Sequence, residues 1–217
     1  MKKKNDDLKY NENDERSILE DILDFVKVFA ITALGFLVFV NFIAYPVNVV
    51  GRSMNPTLAD GEYGFTNVLN ATIKTPQRGD IVVVTMQTED NTKSHWVKRI
   101  IGLPGETVSC KDDEIYINGE KLDESAYIDE DYKQEMIETY GYFNKVIKDY
   151  TDEEGVTVVK AVDFTEITLG DDEYFVCGDN RPYSKDSRNE AVGPVKRSQI
   201  FGNGILIFYP LNKMGIY

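Results

Sequence analysis

The chain has 217 residues, which suits one membrane segment and one domain of ordinary size. A formal net charge of -13 argues against broad binding to the phosphate backbone, so we expect no nucleic-acid partner. The single histidine, His95, excludes a His-rich metal site, and we expect no metal and no other cofactor.

The most apolar stretch covers residues 25–45. No charged side chain interrupts it from Val28 through Tyr45, and a membrane-spanning helix needs about 20 such residues. Pro46 then marks a break. We predict a transmembrane signal anchor, because a cleavable signal peptide has a shorter apolar core of about 7–15 residues. A buried core helix is disfavoured, since the run is apolar all round.

Residues 1–24 precede this anchor and carry several lysine and arginine side chains. Positive charges beside a membrane span favour the cytoplasmic side. We therefore predict a single-pass protein of the cell membrane, with residues 1–24 in the cytoplasm and residues 46–217 outside it. The lipid bilayer is then one partner, and the sequence leaves the oligomeric state open.

Residues 46–217 are expected to form a mainly β domain. Short β-branched runs alternate with Gly, Pro and Asp turn signals, among them IVVVTM, HWVKRIIG, EYFVC and GILIFY. This pattern predicts an antiparallel sheet or a partly closed barrel. A segment of about residues 124–165 begins with acidic, tyrosine-rich sequence, and we expect a small inserted cap of unknown role there.

The two cysteines, Cys110 and Cys177, are too few for a disulfide framework. Both lie in runs typical of strands, and we favour buried free thiols. A disulfide bond stays open as an alternative if the domain lies outside the cytoplasm.

The loop after the anchor reads GRSMNPTL, with Ser53 near its centre. A loop serine is usually a solvated hydroxyl or a turn former. The nucleophile elbow of an α/β-hydrolase needs glycine where Asn55 stands, so that fold is disfavoured. A Ser-His-Asp triad would have to use His95.

Lys98 offers Ser53 a different partner. If HWVKRI is a strand, side chains alternate between its faces, and Lys98 shares one face with Trp96 and Ile100. Burial between large apolar neighbours lowers the pKa of a lysine, and a neutral lysine can take a proton from a serine hydroxyl. The alternative is a lysine that reaches water or pairs with an acid.

A third segment, CGDNRPYSKDSR at residues 177–188, is dense in turn formers, hydroxyls and charges. It can be a hydrophilic hairpin tip. It can also be a polar network around a buried group, in which Ser184 hydrogen-bonds the lysine amine while Asp186 and Arg188 pair with each other or with the backbone.

Four motifs follow the apolar anchor in a fixed order: GRSMNPTL, RGDIVVV, VKRIIGLPGE and GDNRPYSKDSR. This set resembles the boxes of bacterial type I signal peptidases, which are membrane-bound serine proteases with a Ser/Lys dyad. The resemblance covers residues 25–217 except roughly 124–165.

The resemblance implies a role for five side chains. Ser53 is similar to the nucleophile of the family, Lys98 to its general base and Ser184 to the serine that orients the lysine amine. The supporting ion pair corresponds to Asp186 and Arg188. No cofactor is implied.

Gly51 lies where some members of the family place a serine whose hydroxyl helps to bind the oxyanion. The chain therefore resembles the Gram-positive type, and the oxyanion hole must use the backbone N–H of Ser53. Whether Gly51 contributes stays open, and so does the identity of a second donor.

The expected function is removal of signal peptides from secretory preproteins, after a small-x-small site such as Ala-x-Ala. We expect the substrate to bind by strand addition, with side-chain pockets formed by Val49, Met54, Trp96 and Val97. The alternatives are a specialised relative that serves pilus or surface-fibre assembly, and a non-catalytic, membrane-anchored β domain that binds peptides. A self-cleaving repressor with a Ser/Lys dyad is opposed by the membrane span and the negative charge.

Overall fold

A computed structural model describes residues 18–87, 92–151 and 157–217. The chain forms two units, Met1–Val40 and Asn41–Tyr217. In the first unit, helix α1 spans Ile18–Val38 and contains no buried residue. A π-helical turn follows over Phe39–Ile43.

The apolar helix is long enough to cross a membrane. By length and composition, Ile18–Phe42 meets the requirement for a span. The helix begins seven residues before the predicted span of 25–45, and the chain enters strand β1 at Ala44. Pro46 lies inside that strand. The three predicted segments, 1–24, 25–45 and 46–217, stay predictions.

The second unit is mainly β, as the sequence predicts. Two further helices are α2 (Val68–Ile73) and α3 (Glu130–Tyr140). The strands are β1 (Ala44–Asn48), β2 (Tyr63–Asn67), β3 (Ile81–Gln87), β4 (Lys93–Gly102), β5 (Thr107–Lys111), β6 (Glu114–Ile117), β7 (Glu120–Lys121), β8 (Val146–Thr151), β9 (Thr157–Val162), β10 (Ile167–Thr168), β11 (Glu173–Cys177), β12 (Val195–Lys196), β13 (Ile200–Tyr209) and β14 (Gly215–Ile216).

The largest sheet has eight strands in the order β1-β2-β13-β3-β4-β11-β12, with β14 paired to β13. Its pairs are antiparallel, and the sheet is open rather than closed into a barrel. A second sheet has the order β10-β5-β6-β7, and β8 and β9 form a separate hairpin. The predicted antiparallel β fold is therefore confirmed.

Apolar side chains cover both faces of the central strand β3. Val82 and Val84 pack in one cluster with Ile100, while Ile81 and Val83 pack in another. The second cluster also contains Met54 and Leu58, which come from the loop after β1. Because burial of a large apolar side chain stabilises by about 1.5–3 kcal/mol, these two residues fix the loop against the sheet.

The insert contains α3 and the β8–β9 hairpin. It is fastened to the β5–β6 turn by the carboxylate of Asp113, which accepts the backbone N–H groups of Phe143, Asn144 and Lys145 at 2.6, 2.7 and 2.9 Å. Gly141 ends α3 with a φ of 81°, a conformation that favours glycine. Whether this segment acts as a cap stays a prediction.

Both cysteines are free and buried. Burial, together with a hydrogen bond to Asp163, raises the pKa of the Cys110 thiol to about 12. Burial also raises the pKa of Cys177. Neither side chain has the thiolate character that cysteine chemistry requires at neutral pH.

Candidate active site

Ser53 and Lys98 meet beside strand β4 of the main sheet. Ser53 lies in the loop between β1 and β2, and Lys98 lies in β4. The Nζ atom of Lys98 is hydrogen-bonded to the Oγ atom of Ser53 at 2.9 Å. Two residues far apart in the sequence are thus in direct contact, in the geometry that a nucleophile and its base require.

The lysine is buried in apolar surroundings. Its exposed fraction is only 4%, and its neighbours along the strand, Trp96 and Ile100, belong to one apolar cluster. The Nζ atom lies 5.8 Å from the centre of the Trp96 ring. The predicted alternation of β4 is therefore correct, and it places the amine where it is largely withdrawn from water.

Burial lowers the pKa of Lys98, and this effect exceeds the opposite effect of Asp186. Arg188, which is paired with Asp186, lowers the pKa further. The neutral amine is consequently favoured at a lower pH than in an exposed lysine.

The main chain of Ser53 packs against the loop that follows β11. The N–H of Asn180 donates to the carbonyl of Ser53 at 3.0 Å. Gly178 lies beside this contact, and a Cβ atom on it would be 2.3 Å from the Ser53 carbonyl oxygen and 2.4 Å from Ser184 Oγ. Only glycine lets the two segments approach this closely.

A buried ion pair stabilises the same loop. Arg188 donates through Nε and Nη2 to the two oxygens of Asp186 at 2.8 and 2.9 Å. Asp186 also accepts the N–H of Gly178 at 3.0 Å. Burial opposes ionisation of Asp186, but the guanidinium outweighs it and holds the pKa of this carboxyl below its ordinary value. The predicted pairing of Asp186 with Arg188 is present.

Ser184 lies next to the dyad but has other partners. Its Oγ accepts the N–H of Gly178 at 3.2 Å and forms a hydrogen bond with Asp186. Within the described residues, the hydrogen bond of Lys98 Nζ goes to Ser53 Oγ and not to Ser184. The predicted bond between Ser184 and the lysine amine is not formed in this structure, and the orienting role of Ser184 stays a prediction.

A cleft of about 350 Å³ opens beside the dyad. It is lined by all four residues predicted to bind substrate and by both members of the dyad: Val49, Met54, Trp96, Val97, Ser53 and Lys98. Tyr183 and Lys185, which the sequence did not single out, line it as well. The cleft is mostly walled by the loop before Ser53 and by the first half of β4.

Gly51 has a different environment from the one an oxyanion donor needs. Its φ is +88°, and its N–H donates to Asp60 at 2.8 Å. The N–H of Ser53, by contrast, makes no hydrogen bond to any part of the chain that the structure describes. Of the two candidate donors, only the Ser53 N–H is therefore available to a ligand.

A second buried ion pair was missed from the sequence. Arg99 donates to both oxygens of Asp179 at 2.9 and 2.6 Å, and Thr57 donates to the same carboxylate at 2.5 Å. The pair joins β4, the loop after β11 and the loop that carries Ser53. Its signal in the sequence was the alternation of β4, which places Arg99 on the face opposite to Lys98.

No group of His, Cys, Asp and Glu side chains that could hold a metal ion occurs within residues 18–87, 92–151 and 157–217.

The sequence of the chain is similar to those of known signal peptidases. The family model described as signal peptidase, peptidase S26, matches residues 22–209. The chain belongs to this family. It is a serine peptidase, and its apolar N-terminal helix makes it a membrane-anchored enzyme.

Two relatives match over most of the chain. Signal peptidase I of Bacillus amyloliquefaciens is 36% identical and covers 94% of this chain and 97% of its own. Signal peptidase I S of Bacillus subtilis (strain 168) is 38% identical and covers 90% and 93%. A signal peptidase I of known structure from Enterococcus faecalis V583 is 33% identical over 60% of this chain and 97% of its own, with a TM-score of 0.38.

We expect Gly178→Ala to lower the turnover number of the peptidase about 100-fold, because displacement of reacting groups by about 1 Å can cost that much. The new methyl group would push the Ser53 main chain and Ser184 apart. Gly170→Ala is the matched control, since its methyl group would meet only the side chain of Glu173. Peptide hydrolysis by the folded variants measures the effect, and equal activity of the two would contradict it.

Proposed function

We propose that this chain is a type I signal peptidase that removes signal peptides from secretory preproteins, with Ser53 as nucleophile and Lys98 as general base. The observation that carries the proposal is the 2.9 Å contact between Ser53 Oγ and a buried Lys98 Nζ in a member of the signal peptidase family.

The reaction proceeds through an acyl-enzyme. Neutral Lys98 takes the proton of Ser53 as Oγ attacks the carbonyl carbon of the last signal-peptide residue. The C–N bond then breaks, and the lysine ammonium returns the proton to the departing amine, which becomes the new amino terminus. Water, activated by the same lysine, attacks the ester and releases the signal peptide with a free carboxylate.

The oxyanion is bound by the N–H of Ser53. Gly51 brings no side-chain donor, and its own N–H is already bonded to Asp60. In another protease, a single donor of this kind contributes about 2.7–4 kcal/mol to transition-state stabilisation. The site therefore depends strongly on the orientation of one peptide group.

The substrate binds as an added strand. On the side of β4 that faces β11, hydrogen-bonded pairing covers only Arg99–Gly102, so the described residues before Arg99 leave an open edge beside the dyad. An extended peptide can pair with this edge and with residues 48–51 across the cleft. Its alternate side chains then point to the same wall, and the shallow apolar surface of Val49, Met54 and Val97 admits small residues such as alanine.

The proposed orientation puts the active site on the outer side of the membrane. We infer that residues 1–24 lie in the cytoplasm and that the catalytic domain lies outside, on the basis of the basic residues before the span. Enzyme and membrane-embedded signal peptide then share one surface, which raises their effective concentration. The lipid bilayer is thus a partner of the enzyme, because it holds enzyme and substrate at the same surface.

The alternative functions are less well supported. A purely peptide-binding domain does not need a buried lysine in contact with a serine hydroxyl. Relatives matched over most of the chain are signal peptidases by name, which favours general processing over a role confined to surface-fibre assembly.

We expect Ser53→Ala and Lys98→Ala each to abolish processing of a secretory preprotein. Lys98→Arg should also fail, because a guanidinium stays protonated and cannot act as a base. Incubation of each purified variant with the preprotein, followed by amino-terminal sequencing of the product, measures the effect. Lys111→Ala, which removes an exposed lysine outside the cleft, should still cleave. Full activity of Lys98→Arg would rule out the general-base role.

We expect the rate of processing to rise with pH as Lys98 loses its proton. Burial lowers the pKa of this amine in the folded enzyme, so the half-maximal rate should occur at a lower pH than an exposed lysine, whose pKa is about 10.4, would give. Initial rates measured between about pH 6 and 9 test this expectation. A rate that falls across the range would show that the protonated lysine is the active form.

The topology is tested with a membrane-impermeant maleimide on intact cells. We expect Lys74→Cys, at an exposed position of the catalytic domain, to be labelled, and Lys9→Cys to be labelled only after the membrane is disrupted. The native thiols should not interfere, because both are buried and their pKa values are raised. The reverse labelling pattern would overturn the orientation.

A further inference from the structure

Helix α3 of the insert contacts the turn that carries the nucleophile. The hydroxyl of Tyr132 donates a hydrogen bond to the backbone carbonyl of Asn55 at 3.1 Å. Asn55 is two residues after Ser53 and belongs to the same tight loop. The two sides of this contact come from parts of the chain that are distant in sequence.

Within its loop, Asn55 is coupled directly to the nucleophile. Its N–H donates to the carbonyl of Arg52 at 3.2 Å and closes a turn around Ser53. The next turn is closed by a bond from the Leu58 N–H to the Met54 carbonyl at 2.9 Å. A bond to the Asn55 carbonyl from outside therefore fixes the peptide groups that surround Ser53.

Ser53 is thus supported from two directions. The loop after β11 binds its own carbonyl through the Asn180 N–H. The insert binds the loop at Asn55 through Tyr132. Since the N–H of Ser53 is the assigned oxyanion donor, a rotation of these peptide groups would misdirect the donor and the nucleophile together.

Contacts within the domain hold the Tyr132 side chain in position. Its ring packs edge to face on the fully buried ring of Phe143, with 6.3 Å between the ring centres. The adjacent Lys133 binds both oxygens of Glu114 at 2.9 and 3.0 Å, which ties α3 to β6. Burial raises the pKa of Tyr132 to about 12, so the hydroxyl keeps the proton that it donates at neutral pH.

We propose that Tyr132 is a positioning residue for the peptidase reaction, because its hydroxyl holds Asn55 and thereby the orientation of the Ser53 peptide and side chain. The acidic insert then serves catalysis as a support of the nucleophile turn. This inference rests on the proposed function, since it concerns the same active site.

The test compares Tyr132→Phe with Tyr142→Phe in the full chain, in detergent, with a preprotein as substrate. Tyr132→Phe removes one hydroxyl and keeps the ring on Phe143. Tyr142 is a buried tyrosine of the same insert, and its hydroxyl makes no hydrogen bond within the described residues. It therefore controls for loss of a tyrosine hydroxyl as such.

We expect Tyr132→Phe to lower kcat about 2–10-fold, the equivalent of one net hydrogen bond, with KM unchanged. The peptide-binding cleft is lined by other residues, which is why KM should not move. The loss should be the same at each pH between about 6 and 9, because the tyrosine does not titrate there. Tyr142→Phe should stay within about twofold of the unchanged enzyme in both constants.

One result would overturn the inference: a kcat of Tyr132→Phe equal to that of Tyr142→Phe. This holds whether both variants keep full activity or both lose it equally with a common fall in thermal stability, which would indicate a general structural effect. The proposed function fails separately: it fails if the unchanged enzyme does not cleave the preprotein at all.

Discussion

The candidate active site depends on a Lys98 side chain that is buried and, among the described residues, forms no ion pair with a carboxylate. An isolated buried ammonium is costly, and the amine responds by a lowered pKa and by its bond to Ser53. Asp186 has the largest opposing effect on the pKa of Lys98, but Arg188 binds both of its oxygens. Because the effects of the two charges on the lysine oppose each other, burial decides its protonation.

An ion pair can therefore lie beside an amine that the proposed mechanism requires to be neutral. A lone aspartate would stabilise the ammonium ion, whereas a lone arginine would be an uncompensated buried charge. The pair Asp186–Arg188 supplies hydrogen bonds to the loop while its charges compensate. Gly178 lets this loop approach Ser53, and its N–H is bound by Asp186. The ion pair therefore also stabilises the close approach of the loop to Ser53.

Part of this site could be predicted from the sequence, because a strand period and a set of motifs can both be recognised without the structure. The period of a strand placed Lys98 with Trp96 and Ile100, and the order of the motifs identified Ser53 as its partner. The pairing of Arg99 with Asp179 was missed, because alternation specifies a face of a strand but not the loop that packs on it. The bond partners of Ser184 also differ from the prediction, since they depend on the path of the main chain at Gly178.

The insert was the least predictable segment, because its periodicity is irregular, yet it compensates a buried charge in the loop after β11. Arg181 is fully buried, and its guanidinium pairs with Glu124 at the start of the insert and with the side chain of Asn144. Its Nε donates to the carbonyl of Gly178 at 3.0 Å. Removal of the insert would leave this cation unpaired beneath Gly178, and breaking such a buried pair costs about 3–5 kcal/mol. The position of the loop after β11 therefore depends on contacts with the insert as well as on contacts within the loop.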